Sequence, residues 1–209
     1  MKRIMFNDKY GLTDAVLQRR KTMTRRIIPL CENDLNFLKV ADSGEWLFSS
    51  RTCLDGAFPA YNVGDEIAVA QAYKTLRWPA LPGIDWRAIT DEVTHSKGWT
   101  NKMFVKAEYM PHRIRISGIK VERLQDISNE DCLKEGVFHY FQPPFNHEYD
   151  RYAPWPPCIK PYKHDIDNLK YFSTAQAAFA HLIDRISGRG TWNSNPWVYA
   201  YDFELVKLN

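Results

Sequence analysis

From Pro196 to Leu208 the chain alternates with a period of two. Trp197, Tyr199, Tyr201, Phe203 and Leu205 fall on one side, Ala200, Asp202 and Glu204 on the other. That pattern specifies a strand with one face in a core, and a strand this aromatic needs a sheet around it. Glu66 to Tyr73 repeats the alternation, with Ile67, Val69 and Gln71 set against Ala68, Ala70 and Ala72. The turn Tyr61-Asn62-Val63-Gly64-Asp65 leads into it. In Arg113 to Val121 the phase changes: Ile114 and Ile116 share one, Ile119 and Val121 the other. The change falls at Ser117-Gly118, which predicts a bulge or a barrel corner. Met1–Phe6 and Met103–Tyr109 also read as strands.

Helical spacing occupies three other stretches. Residues 13–20 form the first, with Thr13 as N-cap and Leu12 and Leu17 as a hydrophobic staple. Residues 128–135 form the second: Ser128 is the N-cap, Asp131 completes a capping box, and Gly136 stops the helix. Glu135 breaks a local rule there, since the dipole at a helix C-terminus disfavours negative charge by roughly 0.3–1 kcal/mol. The third is Ser173 to Ser187, striped by Ala175, Phe179, Leu182, Ile183 and Ile186. Ser173 and Gln176 read as its capping box and Gly188 ends it. Residues 30–60 read as irregular around the apolar island Trp46-Leu47-Phe48. Two insertions remain. Residues 76–101 hold Trp78, Trp86 and Trp99 and read as a loop with one helical turn. Residues 138–173 hold ten aromatics and six prolines, too apolar for a free tail. They read as a lid packed on the body, or as a stacking platform for bases. The expectation is one α+β domain over 1–209, built on a closed or nearly closed barrel of five or six strands flanked by the helices at 13–20, 128–135 and 174–187. A doubly wound parallel sheet would contradict this expectation.

The formal charge of +3 is modest, but its distribution is not. In Arg19-Arg20-Lys21-Thr22-Met23-Thr24-Arg25-Arg26, five of eight residues are cationic. No core needs that composition. It is a solvated basic face, or a contact for an anion or nucleic acid with a Lys–Thr pair inside it. On a straight strand Lys21 and Thr24 point to opposite faces, so they converge only if the chain bends between them. The four cysteines at 31, 53, 132 and 158 form no Cys-x-x-Cys, and the six histidines show no helical pair spacing. Free thiols, no metal site and no cofactor are expected. No apolar run reaches membrane-span length and no signal peptide opens the chain, so a cytoplasmic protein is expected, monomeric, with no membrane partner.

The run Arg20, Lys21, Thr22, Thr24 and Arg26 at the end of a helix resembles the motif of the ASCH domain, a small β-barrel related to the PUA fold. The glycine that usually opens the motif is Arg19 here. Ile127-Ser128-x-Glu130-Asp131 with Glu135-Gly136, and the approach Trp192…Asn195-Pro196-Trp197-Val198, are also similar to phage-encoded ASCH proteins. The resemblance covers both ends and the middle of the chain but not the insertions. In the most similar members a Glu often follows the Gly-Asp strand; Gln71 stands in that neighbourhood here.

Some members of this family hydrolyse the amide of N4-acetylcytidine. The resemblance assigns that chemistry to Lys21, Thr24 and Glu135. A Thr hydroxyl becomes a nucleophile when a base takes its proton. A Lys serves as that base once its pKa falls, which Arg19, Arg20 and Arg25 would promote. A carboxylic acid can protonate the leaving amine. Arg20, Thr22, Arg25, Arg26 and Gln71 would hold the nucleoside or RNA substrate, with Arg26 on an oxyanion or phosphate. Two alternatives stand beside it: a non-catalytic PUA-type module binding RNA or a modified base, and a metal-independent ribonuclease.

Overall fold

The computed structural model describes residues 1–31, 33–50, 53–76, 85–140, 151–155 and 171–206. Along the chain come β1 (Arg3–Ile4), α1 (Leu12–Leu17), β2 (Met23–Ile27), β3 (Asn36–Val40), β4 (Trp46–Ser49), β5 (Leu54–Ala57) and β6 (Glu66–Val69). Then follow α2 (Trp86–Thr94), β7 (Arg113–Arg123), α3 (Asn129–Lys134), β8 (Phe138–Tyr140), β9 (Arg151–Ala153), α4 (Ala175–Ser187), α5 (Thr191–Ser194) and β10 (Trp197–Val206). The fold is mixed α+β.

The aromatic C-terminal strand sits near the centre of the main sheet, whose order is β1-β6-β7-β10-β2. It pairs antiparallel with β7 from Trp197–Arg123 to Val206–Arg113, and with β2 on its other side. Both of its faces are covered. Tyr199, Tyr201 and Phe203 enter the main core with Ile67, Val69, Ile114 and Ile116. Val198 faces a second cluster with Leu124, Ile127, Cys132 and Phe179, which seats α3 and α4. The bulge forms where the phase changes: Gly118 pairs with Asp202 and Ile116 with Phe203, leaving Ser117 as the extra residue. β1 pairs with β6 in parallel, and the remaining ladders among the described residues are antiparallel. No ladder joins the two edges, β1 and β2, among the described residues. The Arg26 guanidinium spans them, Nη2 donating to Met5 O at 2.9 Å.

Several elements differ from the sequence reading. Residues 30–60 are not irregular: β3, β4 and β5 form a three-stranded antiparallel sheet. β3 is mostly exposed, so it lacks the alternation that marks a half-buried strand, and the apolar island is its neighbour β4. Residues 103–109 are not a strand but two 3-10 turns, because the Asn101 side chain accepts from Met103 N–H and starts a turn. The insertion before them carries the nine-residue helix α2, capped by Asp85. Val93 of that helix packs with Val105, Ala107, Ala68 and Ala70, so the small face of β6 is what the insertion covers. Thr13 does not cap α1; Gly11 stands at the N-cap, and the Thr13 hydroxyl hydrogen-bonds the Asp8 carboxylate. Thr174, not Ser173, caps α4. The opening strand and the 66–73 strand are shorter than expected, and residues 207–209 lie outside the described residues.

Of the aromatic insertion, β8 and β9 form an antiparallel pair and Tyr152 bridges to Phe172. Trp155 packs against Tyr10 with the rings tilted and their centroids 4.9 Å apart. Residues 141–150 and 156–170, on which the lid expectation mostly rests, lie outside the described residues. Among the described residues no helix is long and apolar enough to cross a membrane.

Candidate functional site

Two helix ends build the site. α1 ends with Arg19 N–H on Val16 O at 2.9 Å and Arg20 N–H on Ala15 O at 2.8 Å. This is a Schellman ending, and it puts Arg19 in the left-handed region at φ 60°. Glycine suits that backbone, whereas a side chain there costs roughly 1–2 kcal/mol. Arg19→Gly is therefore expected to raise the thermal midpoint by roughly 1–3 °C, the gain being reduced by the looser unfolded chain. Thermal denaturation followed by circular dichroism measures it; a lower midpoint would count against strain at this residue.

The tight ending swings Lys21 inward before β2 begins. Thr22 is pinned on both sides, its N–H donating to Lys134 O at 2.9 Å and its carbonyl accepting from Phe203 N–H at 2.8 Å. This is the bend that a straight strand lacked, and Lys21 and Thr24 border one cavity.

α3 supplies the facing end. The Ser128 hydroxyl accepts from Asp131 N–H at 3.0 Å. The capping box is only half made, because the Asp131 carboxylate turns to Lys120 at 2.8 Å, Arg25 at 3.2 Å and Lys134 at 3.3 Å. The helix closes with Gly136 N–H on Leu133 O and Val137 N–H on Cys132 O, with Gly136 at φ 105°. A Cβ on Gly136 would stand 3.2 Å from Leu12 Cδ2 and 3.7 Å from Lys21 Cδ, so the glycine leaves room for the lysine stem.

Lys21 is 2% exposed. Its Nζ donates to Glu135 Oε2 at 2.5 Å and to Glu135 O at 2.7 Å. The other carboxylate oxygen of Glu135 accepts from Arg25 Nη1 at 3.1 Å. Lys21 and Arg25 thus offset the unfavourable place of Glu135 at a helix C-terminus. Burial pushes the Lys21 amine down from its ordinary value; Glu135 opposes this, and Arg26 and Arg25 add to it. The cations acting on Lys21 are therefore Arg26 and Arg25, in place of the expected Arg19 and Arg20. Arg19 is exposed, and Arg20 Nε donates to Gln18 Oε1.

Arg25 is not an outward contact for phosphate. Its side chain is 1% exposed and enclosed by Glu122 at 2.5 Å, Glu135 at 3.1 Å and Asp131 at 3.2 Å. Lys120 and Lys134 complete this cluster on the Asp131 side. Arg25, Lys120 and Lys134 thus set three cations against the carboxylates of Glu122, Asp131 and Glu135.

The cavity holds about 190 Å³. Lys21, Thr24, Arg25 and Glu135 give it polar groups, while Phe6, Leu12, Phe179 and Leu182 give it apolar wall. Met5, Ile27, Ile186 and Arg26 line it and are exposed. The Thr24 hydroxyl makes no hydrogen bond among the described residues, although Thr24 is only 5% exposed. Gln71 does not line this cavity. It follows β6, and its Oε1 shares a 2.8 Å hydrogen bond with His112 Nδ1. Thr22 and Arg20 do not line it either.

Sequence reasoning missed Glu122 and Asp131 as partners of Arg25, and Phe6 and Phe179 as walls. Phe179 carried a signal only as part of an amphipathic stripe. Among the described residues no group of three or more His, Cys, Asp and Glu is placed to hold a metal ion. In comparisons with known proteins, no family model, no curated protein and no solved structure matches this chain.

Proposed function

We propose that this chain is a PUA-like barrel of the ASCH type that hydrolyses the amide of an N4-acylated cytidine. The observation that carries the reading is the buried Lys21–Glu135 pair beside a Thr24 hydroxyl with no partner among the described residues, all on one cavity. The cavity's volume also supports it: an apolar cavity of about 150 Å³ accepts benzene, and about 190 Å³ admits a pyrimidine ring. Phe6 and Phe179 supply aromatic wall to it.

In this mechanism Thr24 Oγ attacks the acyl carbon while Lys21 accepts the hydroxyl proton. The tetrahedral oxyanion is held by Arg26. The C–N bond then breaks, and the proton passes through the Lys21–Glu135 pair to the leaving N4 amine. Water hydrolyses the acyl-threonine ester and restores the enzyme.

The rival reading, a module that holds a modified base without turnover, is favoured by one observation. Both Lys21 hydrogen bonds go to Glu135 and none to Thr24. Incubation with N4-acetylcytidine, followed by chromatography, separates the two. Release of cytidine is the expected result. Saturable nucleoside binding without cytidine release would select the rival, and neither binding nor release would remove both.

A further inference from the structure

Outside the cavity, the contact between the Cys31 and Cys53 thiols is the chemistry the proposed hydrolase leaves unused. Cys31 is exposed and lies just past β2; Cys53 is half-buried and lies just before β5. Their Sγ atoms are 2.7 Å apart across 22 residues of sequence. A disulfide bond is about 2.05 Å long, so less than an ångström of sulfur movement separates the contact from a bond. The surrounding backbone already holds both partners. Cys31 N–H donates to Asp55 Oδ2 at 2.8 Å, and Cys53 N–H donates to Ser50 Oγ at 3.1 Å. Ile28 N–H, three residues before Cys31, is fixed on Trp197 O at 2.9 Å.

We propose that Cys31 and Cys53 form a reversible dithiol–disulfide couple that a peroxide oxidises, stapling the exit of β2 to the start of β5. The hydrogen bond from the Cys31 thiol to Cys53, then burial and Asp55, push the Cys31 thiol up to about 12, so Cys31 keeps its proton at first. Attack on the peroxide falls to the Cys53 sulfur, which gives up its proton as the bond forms. An S–O bond forms, the O–O bond breaks, and the departing hydroxide takes a proton to become water. The Cys31 sulfur then displaces the hydroxyl of the Cys53 sulfenic acid; the S–S bond forms and a second water leaves with the Cys31 proton. Two electrons pass from the thiol pair to the peroxide. The staple encloses β3 and β4, and its free end is the strand that carries Thr24, Arg25 and Arg26.

The test reads covalent state and stability only, so it stands apart from the hydrolase reading. The reduced protein is treated with one equivalent of hydrogen peroxide and analysed by intact mass, non-reducing peptide mapping and thermal denaturation. The expected result is loss of two hydrogens, a Cys31–Cys53 linked peptide, and a midpoint raised by roughly 5–10 °C, all reversed by dithiothreitol. Cys31→Ser and Cys53→Ser should each lose both the link and the stabilisation, and Cys132→Ser should keep both. Oxygen adducts without a link, a link that uses Cys132 or Cys158, or a Cys31–Cys53 link that leaves the midpoint unchanged would overturn the proposal.

Discussion

Arg25→Ala is expected to lower the thermal midpoint by about 10 °C, the largest loss of any substitution at the site. Removing one partner from a buried ion pair costs about 3–5 kcal/mol, because the other charge stays buried without compensation. In a chain of this length each kcal/mol moves the midpoint by about 2–4 °C. Arg25 holds three carboxylates at once, from β7, from α3 and from the end of α3. Each keeps a lysine after the change: Lys120 on Glu122 and Asp131, and Lys21 on Glu135. Lys120, however, is 45% exposed and its pairs are screened by water, whereas Arg25 is 1% exposed. Lys120→Met should therefore cost under about 1 kcal/mol. Equal midpoints for the two variants would show that burial does not set the strength of this network. Acid acts on the same cluster. Burial raises Asp131, but hydrogen bonds from Lys120 and Lys134 outweigh it and hold the carboxyl below its ordinary value of 3.8. A depressed carboxyl stabilises the fold above its unfolded pKa, and that contribution is lost as pH falls below about 3.8.

What could be read in the sequence follows the range over which each signal acts. β10 and β7 were legible because alternation is local, and the bulge at Ser117 was legible because a phase change beside a glycine is local too. The ends of α3 were legible from Ser128 and Gly136. The sheet of β3, β4 and β5 was not, since exposed strands need no alternation. α5 was not, because its first turn is held by Asp184 of the preceding helix, whose carboxylate accepts from Gly190 N–H and Trp192 N–H. At the site, Glu135 announced itself by breaking the dipole rule. Asp131 did not: the capping pattern accounted for it locally, and its bond to Arg25 spans 106 residues. Arg25 itself looked like one more cation in a basic run. Its burial depends on Glu122 across the sheet, which no spacing within the motif encodes. Gln71 was selected by resemblance and its neighbours place it with His112 instead.

Lys21→Ala and Thr24→Ala should each remove deacetylation of N4-acetylcytidine while leaving the fold standing. The two losses have different causes. Without Thr24 there is no hydroxyl to form the ester, so single-turnover chemistry stops as well as steady-state turnover. Without Lys21 the hydroxyl lacks a base, and proton transfer of this kind contributes about 10²–10⁴-fold. Stability should survive Lys21→Ala because Glu135 keeps Arg25 at 3.1 Å, and the change also removes a desolvated amine from the interior. Glu135→Gln should weaken the reaction without abolishing it, since the amide still accepts from Lys21 but no longer passes a proton. The pH profile identifies the base. Burial moves the Lys21 amine below 10.5, so in the folded protein it releases its proton earlier than a free lysine. The rate should therefore rise with pH through an inflection below 10.5 in the wild type. Because the unfolded chain binds that proton more tightly, stability should also rise across the window between the two values. In Glu135→Gln the anion that pulls the amine up is gone, and the inflection should move lower still. A rate that falls over the same window, or an inflection that stays in place in Glu135→Gln, would take the role of base away from Lys21. Full activity in Thr24→Ala would remove the acyl-threonine step and leave a water molecule as the nucleophile.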